Sequence, residues 1–150
     1  MTQFFRFEAD FVDSLRCIPM QVRYKLDTCG IKLKLHQWSK FSERDRRLLA
    51  EIPCQTAEDI QIYREHLQQL VKTRVGEVAK DLPIEANPDW EKITTIPASV
   101  AEKADETGVN LNLEHWQTLT DIQRFALIKL SRSNHENRNF LPALKEFQVV

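Results

Sequence analysis

The chain has 150 residues, a formal net charge of −1 and only three glycines. This length suits one compact domain with its own core, and the near-neutral charge gives no sign of a general nucleic-acid binder. Three glycines are too few for the many tight turns of an all-β protein. Composition therefore favours a single all-α domain over residues 1–150, with no nucleic-acid partner.

The N-terminus and the cysteines indicate the cellular compartment of the protein. The first eleven residues are MTQFFRFEADF, with acids where a signal peptide needs an unbroken apolar core. No apolar run reaches the length of a membrane span. The cysteines are odd in number, and Cys17, Cys29 and Cys54 lie far apart, which argues against a disulfide framework and indicates a reducing compartment. The sequence thus predicts a cytoplasmic protein with no membrane partner.

The first helix is predicted to begin at Pro19 and to stop at Gly30. Proline suits the first turn of a helix, where its missing N–H is no loss. Val22, Leu26 and Cys29 recur at helical spacing and form one apolar face. Glycine adopts a positive φ at little cost, so Gly30 suits a left-handed C-cap.

A short extended piece and two more helices are predicted next. Ile31, Leu33 and Leu35 alternate with polar residues, as in a half-buried strand. A short helix that carries Trp38 follows. Ser42, with an aspartate three residues later, has the pattern of an N-cap and begins the last helix of this segment.

The clearest helical pattern is predicted to run from about residue 57 to about residue 80, with Thr56 as its N-cap. The linker over residues 82–97 holds three prolines and should be irregular. A short closing helix is predicted over residues 139–147. The apolar stripe of the long helix is Ile60, Tyr63, Leu67, Leu70, Val71, Val75 and Val78.

Residues 18–52 align without a gap on residues 96–130, at an offset of 78 positions. Eleven of the 35 aligned positions are identical, among them a helix-ending glycine, a tryptophan and an arginine. Similarity at a fixed offset is the mark of an internal repeat. We therefore predict an all-α fold with an internal duplication. Two helical pseudo-repeats, 18–52 and 96–130, are joined by a long central helix, and very short extended pieces fit between the helices.

An acid and a base recur at the same separation in both copies, as Asp27 with Arg46 and Asp105 with Arg124. Such a pair suits either catalysis or an ion pair that ties the first helix of each copy to its last. We interpret both as structural ion pairs within salt-bridge reach, because a catalytic group would more often survive in one copy only.

The two copies differ most in charge. Residues 1–53 carry a net charge of +3 and residues 54–150 a net charge of −4. One interpretation is ordinary solvated charge, and the other is a docking surface for an acidic partner. The predicted partner-binding residues, here called the cationic face, are Lys32, Lys34, Lys40, Arg44 and Arg47, which align with Asn110, Asn112, Thr118, Ile122 and Phe125.

The sequence holds no motif for catalysis, for metal binding or for a cofactor. It has no C-x-x-C, no H-E-x-x-H, no G-x-S-x-G and no phosphate-binding glycine loop. We interpret Cys29 as a small core residue, and an iron–sulfur or metal site built from all three cysteines is the alternative. An enzyme that acts on a cofactor precursor is a third interpretation, which no nucleophile–base arrangement supports. The prediction is a protein that is no enzyme and binds no cofactor.

Residues 4–42, FFRFEADFVDSLRCIPMQVRYKLDTCGIKLKLHQWSKFS, and residues 134–147, NHENRNFLPALKEF, resemble the small nitrate reductase-associated proteins of cyanobacteria and some other bacteria. The likeness extends over essentially the whole chain and is most specific in the N-terminal third. It implies a cytoplasmic accessory factor that active assimilatory, ferredoxin-dependent nitrate reductase needs. Nitrate reductase is then the expected partner, with ferredoxin as a second candidate. The resemblance implies no catalytic residue and leaves open maturation or electron delivery.

Overall fold

The computed structural model describes residues 5–8, 18–132 and 139–149. These residues form eight α-helices, two 3-10 helices and one two-stranded sheet, so the predicted all-α class is confirmed. They fall into two compact units, residues 18–84 and residues 85–149 together with residues 5–8. That the chain is one domain with an internal duplication stays a prediction.

Between residues 18 and 84, the first unit consists of four helices and a two-stranded sheet that surround an apolar core. Its buried side chains include Val22, Leu49, Tyr63, Leu67 and Val71, all fully excluded from solvent. Removing this apolar surface from water is its main source of stability. Its elements are α1 (Met20–Cys29), β1 (Ile31–Lys32), α2 (Leu35–Ser39), α3 (Glu43–Glu51), α4 (Ala57–Arg74) and β2 (Lys80–Asp81).

The described residues of the second unit form helices and connecting loops, with no strand among them. Its buried side chains include Trp116, Phe125, Leu127 and Phe140. The carboxylate of Glu146 accepts hydrogen bonds from the backbone N–H groups of the N-terminal 3-10 helix. Its elements are the 3-10 helices Arg6–Glu8 and Asp89–Glu91, and α5 (Ala98–Glu106), α6 (Leu113–Thr118), α7 (Asp121–Arg132) and α8 (Phe140–Glu146).

The predicted N-caps are confirmed. The hydroxyl of Ser42 accepts a hydrogen bond from Asp45 N at 3.1 Å, and that of Thr56 accepts one from Asp59 N at 3.0 Å. In both cases the aspartate carboxylate accepts the N-cap N–H in return. Each capping box satisfies two N–H groups that the helix itself leaves unpaired. Gly30 has a φ of 76° and ends α1 in a left-handed C-cap, as predicted.

The predicted end of the long helix is wrong. α4 ends at Arg74, because Gly76 adopts a φ of 78° and its N–H bonds back to carbonyls in the last turn, a Schellman-like stop. Val78 continues the apolar period of the helix, yet it is 75% exposed. The chain then turns into β2. Leu35 is a second error, because it begins α2 and is 48% exposed instead of extending the strand.

The helices of the two copies begin at matching positions. α1, α2 and α3 begin at residues 20, 35 and 43, and α5, α6 and α7 begin at residues 98, 113 and 121. Each pair of starts differs by the same 78 positions as the sequence alignment. That the two segments share one three-dimensional shape stays a prediction.

Candidate protein-docking surface

The two short strands place two lysines directly opposite each other. β1 and β2 pair antiparallel, and the register sets Lys32 against Lys80 and Ile31 against Asp81. Opposed residues share a face of the sheet and have Cα atoms about 4.5–5.5 Å apart. Ile31 is fully buried, so Lys32 and Lys80 lie on the outer face, and both are exposed. Like charges in this position destabilise a sheet.

Gly30 lies between α1 and β1, and its backbone contacts the segment that follows β2. Leu82 N donates to Gly30 O at 2.8 Å, which extends the pairing beyond the strands. A Cβ on Gly30 would lie 2.8 Å from Ile84 Cγ1, so a side chain would push this segment away. Glycine is therefore required here for both its positive φ and its lack of a side chain.

Two side chains of α4 fasten the segment that leads into β2. Arg64 donates to Cys29 O at 2.9 Å and to Gly30 O at 3.0 Å, and it forms an ion pair with Asp81. The amide of Gln68 donates to Ala79 O at 2.9 Å and accepts from Ala79 N at 3.0 Å. These contacts fix the backbone on either side of Lys80.

Lys34 lies at the N-cap of α2, beside a carboxylate held by its neighbours. Gln37 donates to Glu77 Oε2 at 2.9 Å, and His36 Nε2 lies 3.2 Å from the same oxygen. Hydrogen bonds from Gln37 and His36, with the positive charge of Lys34 nearby, lower the pKa of Glu77. The lowered pKa favours the ionised carboxylate. Among the described residues, Lys34 has no ion-pair partner within 4.0 Å.

All five residues of the cationic face are exposed. Arg47 pairs with Glu43 on the surface of α3 at 3.3 Å, a contact of little energetic weight. No described carboxylate pairs with Lys32, Lys40 or Arg44. The structure also adds Lys80 to Lys32, which sequence reasoning missed because it placed residue 80 in a helix. Whether the cationic face binds a partner stays a prediction.

The arginines of the predicted ion pairs contact the tryptophan helix of their own copy. Arg46 donates to Trp38 O at 3.2 Å and to Ser39 O at 3.0 Å, and its guanidinium lies 5.7 Å from the Trp38 ring centre. Arg124 donates to Trp116 O at 3.3 Å and also to Leu119 O. In both copies, then, the arginine satisfies carbonyls at the end of a helix.

The sequence predicts that each of these arginines also pairs with an aspartate, Asp27 or Asp105. Arg124 forms an ion pair with Asp121, one turn away on its own helix, while Asp105 is exposed. The ion pairs of Arg46 with Asp27 and of Arg124 with Asp105 stay predictions. The arginine–carbonyl contact gives a physical reason for the repeated arginine that does not need them.

The two described cysteines lie in the core of the first unit. Cys29 is 1% exposed, as predicted, and Cys54 is 5% exposed. Burial raises the pKa of the Cys29 thiol to about 11 and that of the Cys54 thiol to about 12. Metal ions bind the thiolate form, so both side chains suit packing better than ligation. Cys17 lies outside the described residues, and within them no group of three His, Cys, Asp or Glu side chains could hold a metal ion.

No helix of the described residues combines the length and the apolar character that crossing a bilayer requires.

One protein family matches nearly the whole chain. A family model described as conserved nitrate reductase-associated protein matches residues 4–147. No curated protein matches the chain, and no solved structure matches it.

Proposed function

The chain belongs to the nitrate reductase-associated protein family, and from this premise we propose that it is a non-enzymatic accessory protein of assimilatory nitrate reductase. It acts in the cytoplasm, through direct contact with the reductase. The observation that carries this proposal is the family match over residues 4–147. The resemblance of the N-terminal third to the same family supports it.

The charge of the first unit supports a contact role. Lys32 and Lys80 repel each other in the folded state, a cost that the fold does not need for its own sake. An acidic partner surface would relieve that repulsion on binding and would steer the encounter. The cationic face is therefore the proposed contact surface for an acidic patch on the reductase.

Two roles fit such a contact. In maturation, the protein would hold the reductase while its molybdenum and iron–sulfur centres are inserted or protected. In electron delivery, it would promote the approach of ferredoxin, which is the second candidate partner. Both roles use protein surfaces, and neither needs a catalytic residue in this chain.

One experiment separates the two roles and tests the proposal itself. Nitrate reductase is purified from cells with and without this protein, and its molybdenum and iron contents are measured. Turnover is then measured with ferredoxin and with reduced methyl viologen. Low metal content without the protein indicates maturation. Full metal content with slow turnover from ferredoxin alone indicates electron delivery. Full metal content with normal turnover from both donors overturns the accessory role.

The cysteine-based carrier remains the alternative. The buried, high-pKa thiols of Cys29 and Cys54 lend it no support. A Cys54→Ser variant that keeps the reductase fully active would argue against the carrier.

A further inference from the structure

An open groove of about 760 Å³ lies beside Lys80 in the first unit. One wall is α4, with Arg64 and Lys72, and the other is the segment that holds Val78 and Lys80. Its volume is enough for several side chains. Because it is open along the surface, it suits an extended chain better than an enclosed small molecule.

The groove carries more free positive charge than negative charge. Arg64 is neutralised by Asp81, whereas Glu65 keeps its negative charge, because its hydrogen-bond donor Gln61 is uncharged. Neither Lys72 nor Lys80 forms an ion pair with any described residue. Lys32 adds a further positive charge directly across the sheet from Lys80. An acidic ligand would therefore meet the unpaired ammonium groups of Lys72 and Lys80 in the groove, with Lys32 beside Lys80, against the single carboxylate of Glu65.

An apolar side chain stands within this charged surface. Val78 is 75% exposed, and the next residue, Ala79, is held by both hydrogen bonds of the Gln68 amide. The backbone that presents Val78 is thus fixed before any ligand arrives, which lowers the cost of binding. A large exposed aliphatic group among cations suits contact with another protein.

We propose that this groove binds an extended acidic segment of a protein partner, with an apolar side chain of that segment covering Val78. The inference rests on the proposed function, which makes nitrate reductase the protein that carries the segment. A nucleic acid fits less well, because its closely spaced phosphates offer no apolar group to cover Val78, and the whole chain has a net charge of −1.

The test measures the affinity of purified nitrate reductase for the full chain by titration calorimetry at low salt. The variants are Lys80→Gln, Lys32→Asn and Val78→Ser, and Lys145→Gln, at an exposed lysine of α8, is the matched control. We expect each groove variant to weaken binding by about fivefold or more, and the control to stay within about twofold of wild type. Thermal unfolding of each variant checks that it is folded.

The other results are informative in different ways. Equal affinity of wild type and all groove variants overturns the groove assignment and leaves the accessory function standing. No binding by the wild type overturns contact with the reductase, and the groove assignment with it.

Two further measurements address other occupants of the groove. Binding of single-stranded DNA that Lys80→Gln abolishes would assign the groove to nucleic acid. A wild-type dimer in solution that Lys80→Gln separates would assign it to a second copy of the chain. Either result contradicts the proposal.

Discussion

Lys32 and Lys80 lie directly opposite each other across the antiparallel pair of β1 and β2, on its exposed face. Nothing in the hydrophobic core requires a lysine at either position. The pair therefore links the fold to the proposed function, since repulsion that weakens the free protein would favour an acidic partner.

Removing one lysine of this pair should stabilise the protein. Lys80→Gln is expected to raise the free energy of unfolding by about 0.2–1 kcal/mol at low ionic strength, because the like-charge contact is lost. The gain should shrink as salt is added, since exposed charges are screened. Urea unfolding at two salt concentrations measures both effects. Lys72→Gln, with no lysine opposite it, is the control and should change little. A destabilised Lys80→Gln would show that the lysine supports the fold.

Arg124 of the second copy should contribute more to the free energy of unfolding than Arg46 of the first copy. Arg124 is 5% exposed and donates to carbonyls of the tryptophan helix and to Trp90 O. Arg124→Met leaves these groups without a partner and should cost about 3 kcal/mol. Arg46 is only half-buried, so Arg46→Met should cost about 1 kcal/mol. Chemical denaturation measures both, with Arg132→Met on the surface as control. Equal losses at the two sites would contradict this account.

A double-mutant cycle tests the predicted ion pairs. If Asp105 pairs with Arg124, the effects of Asp105→Asn and Arg124→Met should be non-additive. Additive effects would leave the carbonyl contacts as the reason for the repeated arginine.

Several features of the fold follow from local sequence alone. The apolar face of α1 and the capping boxes at Ser42 and Thr56 depend on residues within a few positions of each other. Such features can be predicted from the local sequence. The end of α4 was missed for a physical reason. Gly76 stops the helix, but an apolar residue at the right period follows at Val78, and the pattern cannot show that this side chain faces solvent.

The candidate site was predictable only in part. Lys32 and Lys34 were found because the second copy has asparagine at both positions. Lys80 was missed because its importance comes from strand register, a contact between residues far apart in the chain. The groove depends in the same way on how Gln68 holds Ala79, and no short motif records that contact.

Asp45 should make stability depend on pH in the acidic range. Burial pushes its pKa upward, but hydrogen bonds from Ser42 N and from Arg74 outweigh this, so the pKa lies below the ordinary value of 3.8. A lowered folded-state pKa means that the stabilisation is present above pH 3.8 and is lost as the pH falls through the folded-state value. Urea midpoints measured on either side of that value should fall more steeply with acid in wild type than in Asp45→Asn. Parallel curves would contradict the assignment.

The buried thiols should resist modification. Because burial raises the pKa of Cys29 to about 11 and that of Cys54 to about 12, little thiolate exists at neutral pH. In a Cys17→Ser background, neither thiol should react with a disulfide reagent until the protein unfolds. Reaction kinetics with and without urea give the answer, and fast labelling of the folded protein would reopen the carrier alternative.

The most direct test of the central claim is recovery of nitrate reductase with this protein from nitrate-grown cells. Wild type is compared with Lys32→Asn/Lys34→Asn/Arg44→Ile, which carries the second copy's residues in the cationic face, and with the control Lys145→Gln. We expect wild type and the control to recover the reductase at low salt and the triple variant to recover about tenfold less. Equal recovery by all three, or no reductase with wild type, would contradict it.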